Sequence, residues 1–300
     1  AALGRRLLVK RDDLTELPLS GNKARMFEYS LARALDLGCD TVVMASSAQS
    51  NYCRQLALAG ARLGLDVHLI LRRVRGARDD EVQGNLLLTK LAGAHVELND
   101  LAMGEQKAAL AAKAEALRAA GRRVYVARGD GVDEALEAAA YVGCALELHE
   151  QLAGMGAQID HLFVSACDTT QAGLVVAARY LGERYRIVGV NPFPFSTTEW
   201  LLRVANDLIG LLGLEMAPIT AADVENRHEY AGPGYGVATP AGLEAIKLAA
   251  RTEGLLLDPV YTGKTLAALQ DYIARGVVAE GETVLFLHTG GAPLAFAYAE

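Results

Sequence analysis

A lysine stands inside the stretch Ser20-Gly21-Asn22-Lys23-Ala24-Arg25, after the β-type run Leu7-Leu8-Val9-Lys10 and before Met26, Phe27, Leu31 and Leu35, which recur at helical spacing. Lys23 therefore sits at a turn that opens into a helix. The neighbouring glycine lets the backbone approach a bound group closely, and an amine held among apolar side chains loses part of its preference for the charged form. A neutral amine so placed can form a Schiff base with an aldehyde. The alternative is a solvated lysine on the first turn of a helix.

Three later loops follow predicted strands, where open α/β sheets place their ligands. Gln49-Ser50-Asn51-Tyr52 offers a hydroxyl and an amide that suit a small carboxylate and a ring hydroxyl, or that only cap the next helix. Ser165-Ala166-Cys167-Asp168-Thr169-Thr170-Gln171-Ala172-Gly173 lies between a strand and a helix, so its N–H groups can hold a phosphate at the positive end of the helix dipole. Asp168 repels a phosphate unless its side chain points away, leaving the loop amides and Thr170 to face the anion. With Gln171 three residues later it also reads as a capping box, and in that reading no phosphate binds. His288-Thr289-Gly290-Gly291 brings a hydroxyl and two permissive glycines to the end of another strand. Tyr235, in Gly232-Pro233-Gly234-Tyr235-Gly236, and Tyr261, in Asp258-Pro259-Val260-Tyr261-Thr262-Gly263-Lys264, sit in glycine-rich turns. Each suits a phenol presented to a cleft or a packing residue bonded through its hydroxyl.

The elements that must position these groups alternate. Strands are expected at Thr41 to Met44, Val67 to Leu71, Ala94 to Leu98, Arg123 to Ala127, His161 to Ser165, Ile187 to Val190 and Thr283 to Leu287. Helices are expected over Tyr52 to Leu63, Gln83 to Leu91, Gly104 to Ala119, Asp133 to Met155, Thr170 to Tyr180, Pro240 to Arg251 and Gly263 to Arg275. The segment from Asn191 to Gly236 is richer in Pro, Gly and Asn and reads as irregular. Short apolar strands alternating with helices imply an α/β fold with parallel sheets covered on both faces. Two open twisted sheets follow: a small domain over residues 26–132, inserted into a larger one made of 1–25 and 133–300, with the ligand cleft between them.

Composition narrows the function classes. The 300 residues carry a formal charge of −7 without a basic run and with 6% aromatics, which argues against nucleic acid and an anionic membrane surface. No uninterrupted apolar span is long enough for a membrane helix. Cys39, Cys53, Cys144 and Cys167 form no C-x-x-C pair, and no His stands at metal-ligand spacing, so neither zinc nor a disulfide framework is expected and a reducing cytoplasm fits. No G-x-G-x-x-G joins an early strand to a helix, which argues against a nicotinamide-dependent dehydrogenase. Ala1 to Arg6 lead straight into a strand, so a leader or N-terminal arm is expected to precede the chain.

The chain resembles the D-cysteine desulfhydrase and 1-aminocyclopropane-1-carboxylate deaminase family of pyridoxal-phosphate enzymes, which has the tryptophan-synthase-β-like fold (fold type II). The resemblance runs through Lys10-Arg11-Asp12-Asp13-Leu14, Gly21-Asn22-Lys23, Gln49-Ser50-Asn51, Gln83-Gly84-Asn85, Pro233-Gly234-Tyr235-Gly236, Asp258-Pro259-Val260-Tyr261 and His288-Thr289-Gly290-Gly291, in that order. It implies pyridoxal 5'-phosphate as cofactor, with Lys23 as its Schiff-base lysine, Asn51 on the ring hydroxyl and Thr289 on the ring nitrogen. It further implies that Ala166, Cys167, Asp168, Thr169 and Thr170 hold the phosphate. Ser50, Asn51, Tyr52, Tyr235, Tyr261 and Thr262 are then expected around the substrate, and a homodimer is implied as well.

Two positions separate the activities within that family. Deaminases carry Glu after the tyrosine matching Tyr261 and Leu at the position of Thr289, whereas desulfhydrases carry small hydroxyl residues at both. Thr262 and Thr289 point to the desulfhydrase: α,β-elimination from D-cysteine to pyruvate, ammonia and hydrogen sulfide, with Lys23 taking the Cα proton and Tyr261 serving the leaving group. The alternatives are another leaving group, as in L-cysteate sulfo-lyase, the 1-aminocyclopropane-1-carboxylate deaminase itself, β-replacement by a second nucleophile, and a catalytically inactive binding protein of the same fold. The chain departs from the family at Ser20, usually Gly, at Tyr52, usually His or Gln, and at Cys167-Asp168, usually Ser-Gly or Thr-Gly.

Overall fold

A computed structural model describes residues 3–74 and 81–298. Residues 1 and 2 of the expected lead-in lie outside the described ones. The chain begins with β1 (Arg6–Arg11), α1 (Lys23–Asp36), β2 (Thr41–Ser47), α2 (Asn51–Leu63), β3 (Asp66–Arg72), α3 (Gly84–Leu91), β4 (His95–Asn99), α4 (Met103–Ala119) and β5 (Val124–Val126). It continues with α5 (Gly131–Gly154), β6 (His161–Ser165), α6 (Thr169–Leu181), β7 (Arg186–Val190), α7 (Thr198–Leu212), β8 (Glu225–Arg227), α8 (Pro240–Glu253), α9 (Thr262–Ala274), β9 (Thr283–His288) and α10 (Ala292–Ala295).

Two sheets form, in the orders β1-β9-β6-β7-β8 and β4-β3-β2-β5, and each pairing is parallel. The central strands of the first are buried on both faces, which is why they read as continuous apolar runs. Leu162, Val164, Leu285 and Leu287 meet α5, α6 and α7 on one face, while Phe163, Val284 and Phe286 meet α8 and α9 on the other. In the second sheet Val42, Leu69 and Leu71 pack under α1 and α2, and Val43 and Val124 pack under α4.

The expected α/β class and order of elements stand; the irregular reading of the segment from Asn191 to Gly236 does not. It contains the fifteen-residue helix α7 and the short edge strand β8. Leu201, Val204, Ala205 and Leu208 are buried at i, i+3, i+4 and i+7, a helical signal masked by the Pro- and Gly-rich loops on either side. Spacing also concealed a cluster of Asp66, His68 and His95, which adjacent strands bring together. The two rings stack with centroids 4.4 Å apart and both bond Asp66, but Arg122 Nη2 donates to the same carboxylate at 3.2 Å. That guanidinium pairs with the carboxylate, and burial is the largest cause of the lowered pKa of His68.

Helices α5 and α6 approach closely because Gly173 has no side chain. A Cβ there would lie 2.1 Å from the Ala138 carbonyl oxygen and 2.7 Å from Tyr141 Cβ. Gly173→Ala must push the helices apart, and we expect a loss of about 3 kcal/mol in urea unfolding, the upper range for an overpacked core. An unchanged midpoint would show that this contact does not set the helix spacing.

Candidate active site

The C-terminal ends of strands from both sheets converge on a cleft with about 860 Å³ of open space. Lys23, the first residue of α1, reaches into it because its loop is locked onto the end of β9. Gly21 and Gly290 form an antiparallel bridge, and Asn22 N donates to Thr289 O at 3.0 Å. A Cβ at Gly21 would lie 2.5 Å from Thr289 O, and one at Gly290, where φ is +92°, would lie 2.4 Å from Ser20 O. Only glycine fits at either point. From the other side Gln55 Oε1 accepts from Ala24 N at 3.1 Å, and the Asn22 amide donates to Thr170 Oγ1 at 3.2 Å.

The amine of Lys23 makes no hydrogen bond or ion pair among the described residues. Burial lowers its pKa; the nearby charges of Asp168 and Glu137, which raise it, and of Arg128, which lowers it further, are smaller effects. The solvated-lysine alternative therefore gives way to a desolvated amine facing a cleft. Asp12, in the first of the quoted motifs, holds the fold together: its carboxylate takes two hydrogen bonds from Arg25 at 3.0 Å and one from Tyr141 at 2.8 Å, pinning α1 to α5.

Ser50 does cap α2, accepting from Cys53 N at 3.1 Å, and it also lines the cleft. Asn51 lies beside it with its amide orientation fixed, since Asn85 Nδ2 donates to Asn51 Oδ1 at 2.8 Å and leaves the Asn51 NH2 as the available donor. Asn85 is itself held by Gln49 O and by Arg54 Nε, both at 2.8 Å. Gly84 at φ +56° permits this, because a Cβ would come within 2.7 Å of Gln49 Oε1. Tyr52 lines the cleft with its ring, while its hydroxyl is committed to Glu137 at 2.5 Å.

Ala166, Cys167, Asp168 and Thr170 line the cleft at the start of α6. Asn226 Nδ2 donates to Ala166 O at 3.0 Å and Thr197 Oγ1 to Cys167 O at 2.7 Å, so the loop is braced from behind. The capping-box alternative is overturned. Asp168 makes no capping bond, and Gln171 turns instead to Glu225 O, 2.7 Å away, and to Asn226. The Asp168 carboxylate pairs with Arg128 Nη1 at 2.8 Å. Burial alone would raise its pKa, but the charges of Arg128 and Lys23 hold it below the usual carboxylate value. Burial pushes the Cys167 thiol well up, so it stays protonated.

Tyr235 and Tyr261 share a short hydroxyl–hydroxyl hydrogen bond at the rim, and Phe193 stacks on Tyr235 at 4.9 Å. Burial is the largest cause of the raised pKa of both phenols. Thr289 also lines the cleft. Two expected site residues do not: Thr169 is buried against Met26 and Arg128, and the Thr262 hydroxyl is bonded to Asp258 at 2.7 Å, where it stabilises the first turn of α9. Both adjoin residues that do face the site, but a helix turns successive side chains about 100° apart.

Sequence reasoning missed Asn22, Met44, Ser46, Arg128, Ser165, Pro192, Phe193 and Trp200 as lining residues. Arg128 and Ser165 lay within reach of a simple signal, since each ends or follows a strand at its ligand-facing edge. Trp200 belongs to the unrecognised helix. Ser165 Oγ is buried, lines the cleft and has no partner among the described residues.

The family model for pyridoxal-phosphate dependent enzymes matches residues 1–290. The chain is 39% identical over 298 residues to D-cysteine desulfhydrase of Salmonella choleraesuis (strain SC-B67), covering 99% of this chain and 90% of that one. It is 38% identical over the same length to D-cysteine desulfhydrase of Salmonella paratyphi C (strain RKS4594), with the same coverage. Among solved structures, an ACC deaminase homologue superposes with a TM-score of 0.88 at 33% identity, covering 99% of this chain and 88% of that one. An O-ureido-L-serine synthase has a TM-score of 0.67 at 16% identity over 95% of this chain and 84% of its own, which shows the shared fold.

The depressed pKa of Lys23 has a consequence for stability. The folded chain binds this proton less readily than the unfolded one, so the charged amine weakens the fold at neutral pH and the penalty fades as pH rises toward 10.5. Lys23→Met in the cofactor-free chain should raise stability at neutral pH by about 1 kcal/mol, as removal of a strained functional group commonly does. The gain should shrink at alkaline pH. Urea titrations across that range check it, and a variant less stable than its parent at neutral pH contradicts it.

Proposed function

The chain belongs to the family of pyridoxal-phosphate-dependent enzymes, and from that premise we propose that it is a carbon–sulfur lyase acting on D-cysteine. The observation that carries this reading is an unpartnered, desolvated Lys23 amine in the same cleft as a hydrogen-bonded pair of protonated phenols. D-cysteine and water would yield pyruvate, ammonia and hydrogen sulfide. The two desulfhydrases above support the substrate, and Thr289 in the lining supports it over a deaminase.

The residues present fit the cofactor. Lys23 offers an amine with no other partner among the described residues, and the Asn51 NH2 is a donor aimed by Asn85. The first-turn N–H groups of the thirteen-residue α6 and the orphaned, buried Ser165 hydroxyl offer donors for a phosphate. Thr289 is available to the ring nitrogen.

Bound pyridoxal phosphate supplies an aldehyde that takes up the substrate amine and a ring that accepts the electron pair left by a departing Cα proton. Lys23 would be the base for that proton, and burial, which lowers its pKa, favours the neutral amine that this role needs. The Ser50 hydroxyl at the N-terminus of α2 binds the substrate carboxylate. Tyr261, hydrogen-bonded to Tyr235, holds a proton for the departing sulfur, because both phenols remain protonated at neutral pH. Phe193 and Trp200 restrict water. The smaller sheet, within the expected domain of residues 26–132, carries Ser50 and Asn51 and the larger carries the phosphate loop and both tyrosines, so closure between them would assemble the site. The four unpaired cysteines support a reducing, cytoplasmic setting.

Incubation with D-cysteine should release pyruvate and sulfide in equal amounts. Lys23→Ala should abolish both, and Tyr261→Phe should lower kcat about 100-fold or more, the low end for losing a general acid. L-cysteate releasing sulfite, or 1-aminocyclopropane-1-carboxylate releasing ammonia, in preference to D-cysteine would replace the substrate assignment; full turnover by Lys23→Ala would overturn the mechanism.

A further inference from the structure

The loop before α6 carries a carboxylate, Asp168, yet the fold keeps that carboxylate out of the helix N-terminus. Arg128 is the group responsible. Its Nη1 bonds Asp168 at 2.8 Å and its Nε bonds Glu137 at 2.6 Å. Its Nη2 donates to Thr169 Oγ1 at 3.2 Å, and its guanidinium lies 4.9 Å over the Tyr52 ring. Glu137 is itself fully buried and takes the Tyr52 hydroxyl on its other oxygen. Arg128 is thus fixed on three sides by Glu137, Tyr52 and Thr169, and presents one edge of its fork to Asp168.

The backbone reports the same demand. Arg128 has φ +55°, one of two non-glycine residues at positive φ among those described. A glycine would meet this conformation without strain, so the side chain is present despite its backbone conformation. Asp168, released, has a ready alternative: the unbonded first-turn amides of α6 would donate to its carboxylate as a cap. Those amides are the ones a phosphate needs.

We propose that Arg128 is a positioning residue for the cofactor's phosphate: by pairing with Asp168 it withholds that carboxylate from the N-terminus of α6 and offsets its charge beside the bound dianion. The inference rests on the pyridoxal-phosphate reading of the cleft. It assigns a joint role to four residues, Tyr52, Arg128, Glu137 and Asp168, three of which ordinary loop reasoning leaves out of cofactor binding.

The test is a double-variant cycle read by cofactor affinity. Trp200 is the chain's single tryptophan and lines the cleft, so quenching of its fluorescence reports pyridoxal phosphate binding to the full cofactor-free chain without any turnover. Arg128→Gly, which suits the backbone, should weaken binding about tenfold or more, as expected when a charged hydrogen bond is lost. In an Asp168→Gly background the same change should alter affinity by no more than about threefold, the range of uncoupled sites. Arg128→Lys, which keeps the charge without the fork, should fall between and be rescued by Asp168→Gly; it carries the test if Arg128→Gly fails to fold. Equal losses in both backgrounds, or none in either, overturn the inference and leave the lyase reading intact. No quenching in the unaltered chain overturns both.

Discussion

Everything at this site depends on how closely two backbones approach. The Gly21 bridge to Gly290 leaves no room for a Cβ on either side, and it fixes the start of α1 to the end of β9. Lys23 follows two residues later, so its amine takes its position from a strand at the opposite end of the chain. A hydrogen bond between side chains would be a softer restraint, because both partners could rotate. Backbone contact has no such freedom, and Asn22 extends it to the start of α6 through Thr170.

A second constraint is electrostatic. The cleft wall holds Asp168, Arg128 and Lys23, with Glu137 fully buried behind Arg128. Buried charges of one sign would be intolerable there. Alternation solves it, with Arg128 between two carboxylates and burial lowering the pKa of the lysine amine. Removing any one member leaves another uncompensated, so a carboxylate at this point of the loop requires the groups around it.

The sequence revealed the groups that lie on loops after strands, because short polar stretches stand out against apolar runs: Lys23, Ser50, Asn51, Asp168, Thr170, Thr289 and the two tyrosines all reach the cleft. It concealed what depends on distant partners. Arg128 follows a three-residue strand, and its carboxylates lie 9 and 40 residues away. Glu137 stands in a long Ala-rich helix where a carboxylate reads as solvated, but it is completely buried. Helix α7, with Trp200, disappeared into the composition of its flanking loops. Asp168 was ambiguous in sequence because capping and ion pairing use the same atoms; only the location of Arg128 decides between them.

The two tyrosines pose the same problem, and the fold answers it with a buried cation. Tyr235 sits on an irregular loop and Tyr261 at the start of α9, yet their hydroxyls meet. Asp258 fixes the second by accepting from the backbone N–H of Val260, Tyr261 and Thr262. Lys264, in the first turn of α9, donates to Ala231 O at 2.7 Å and so ties the Tyr235 loop to the same helix. Burial lowers its pKa to about 8. An amine donates to a carbonyl whether charged or neutral, so this tether survives deprotonation, unlike a salt bridge. A carbonyl partner therefore keeps the Tyr235 loop tied to α9 on both sides of that pKa.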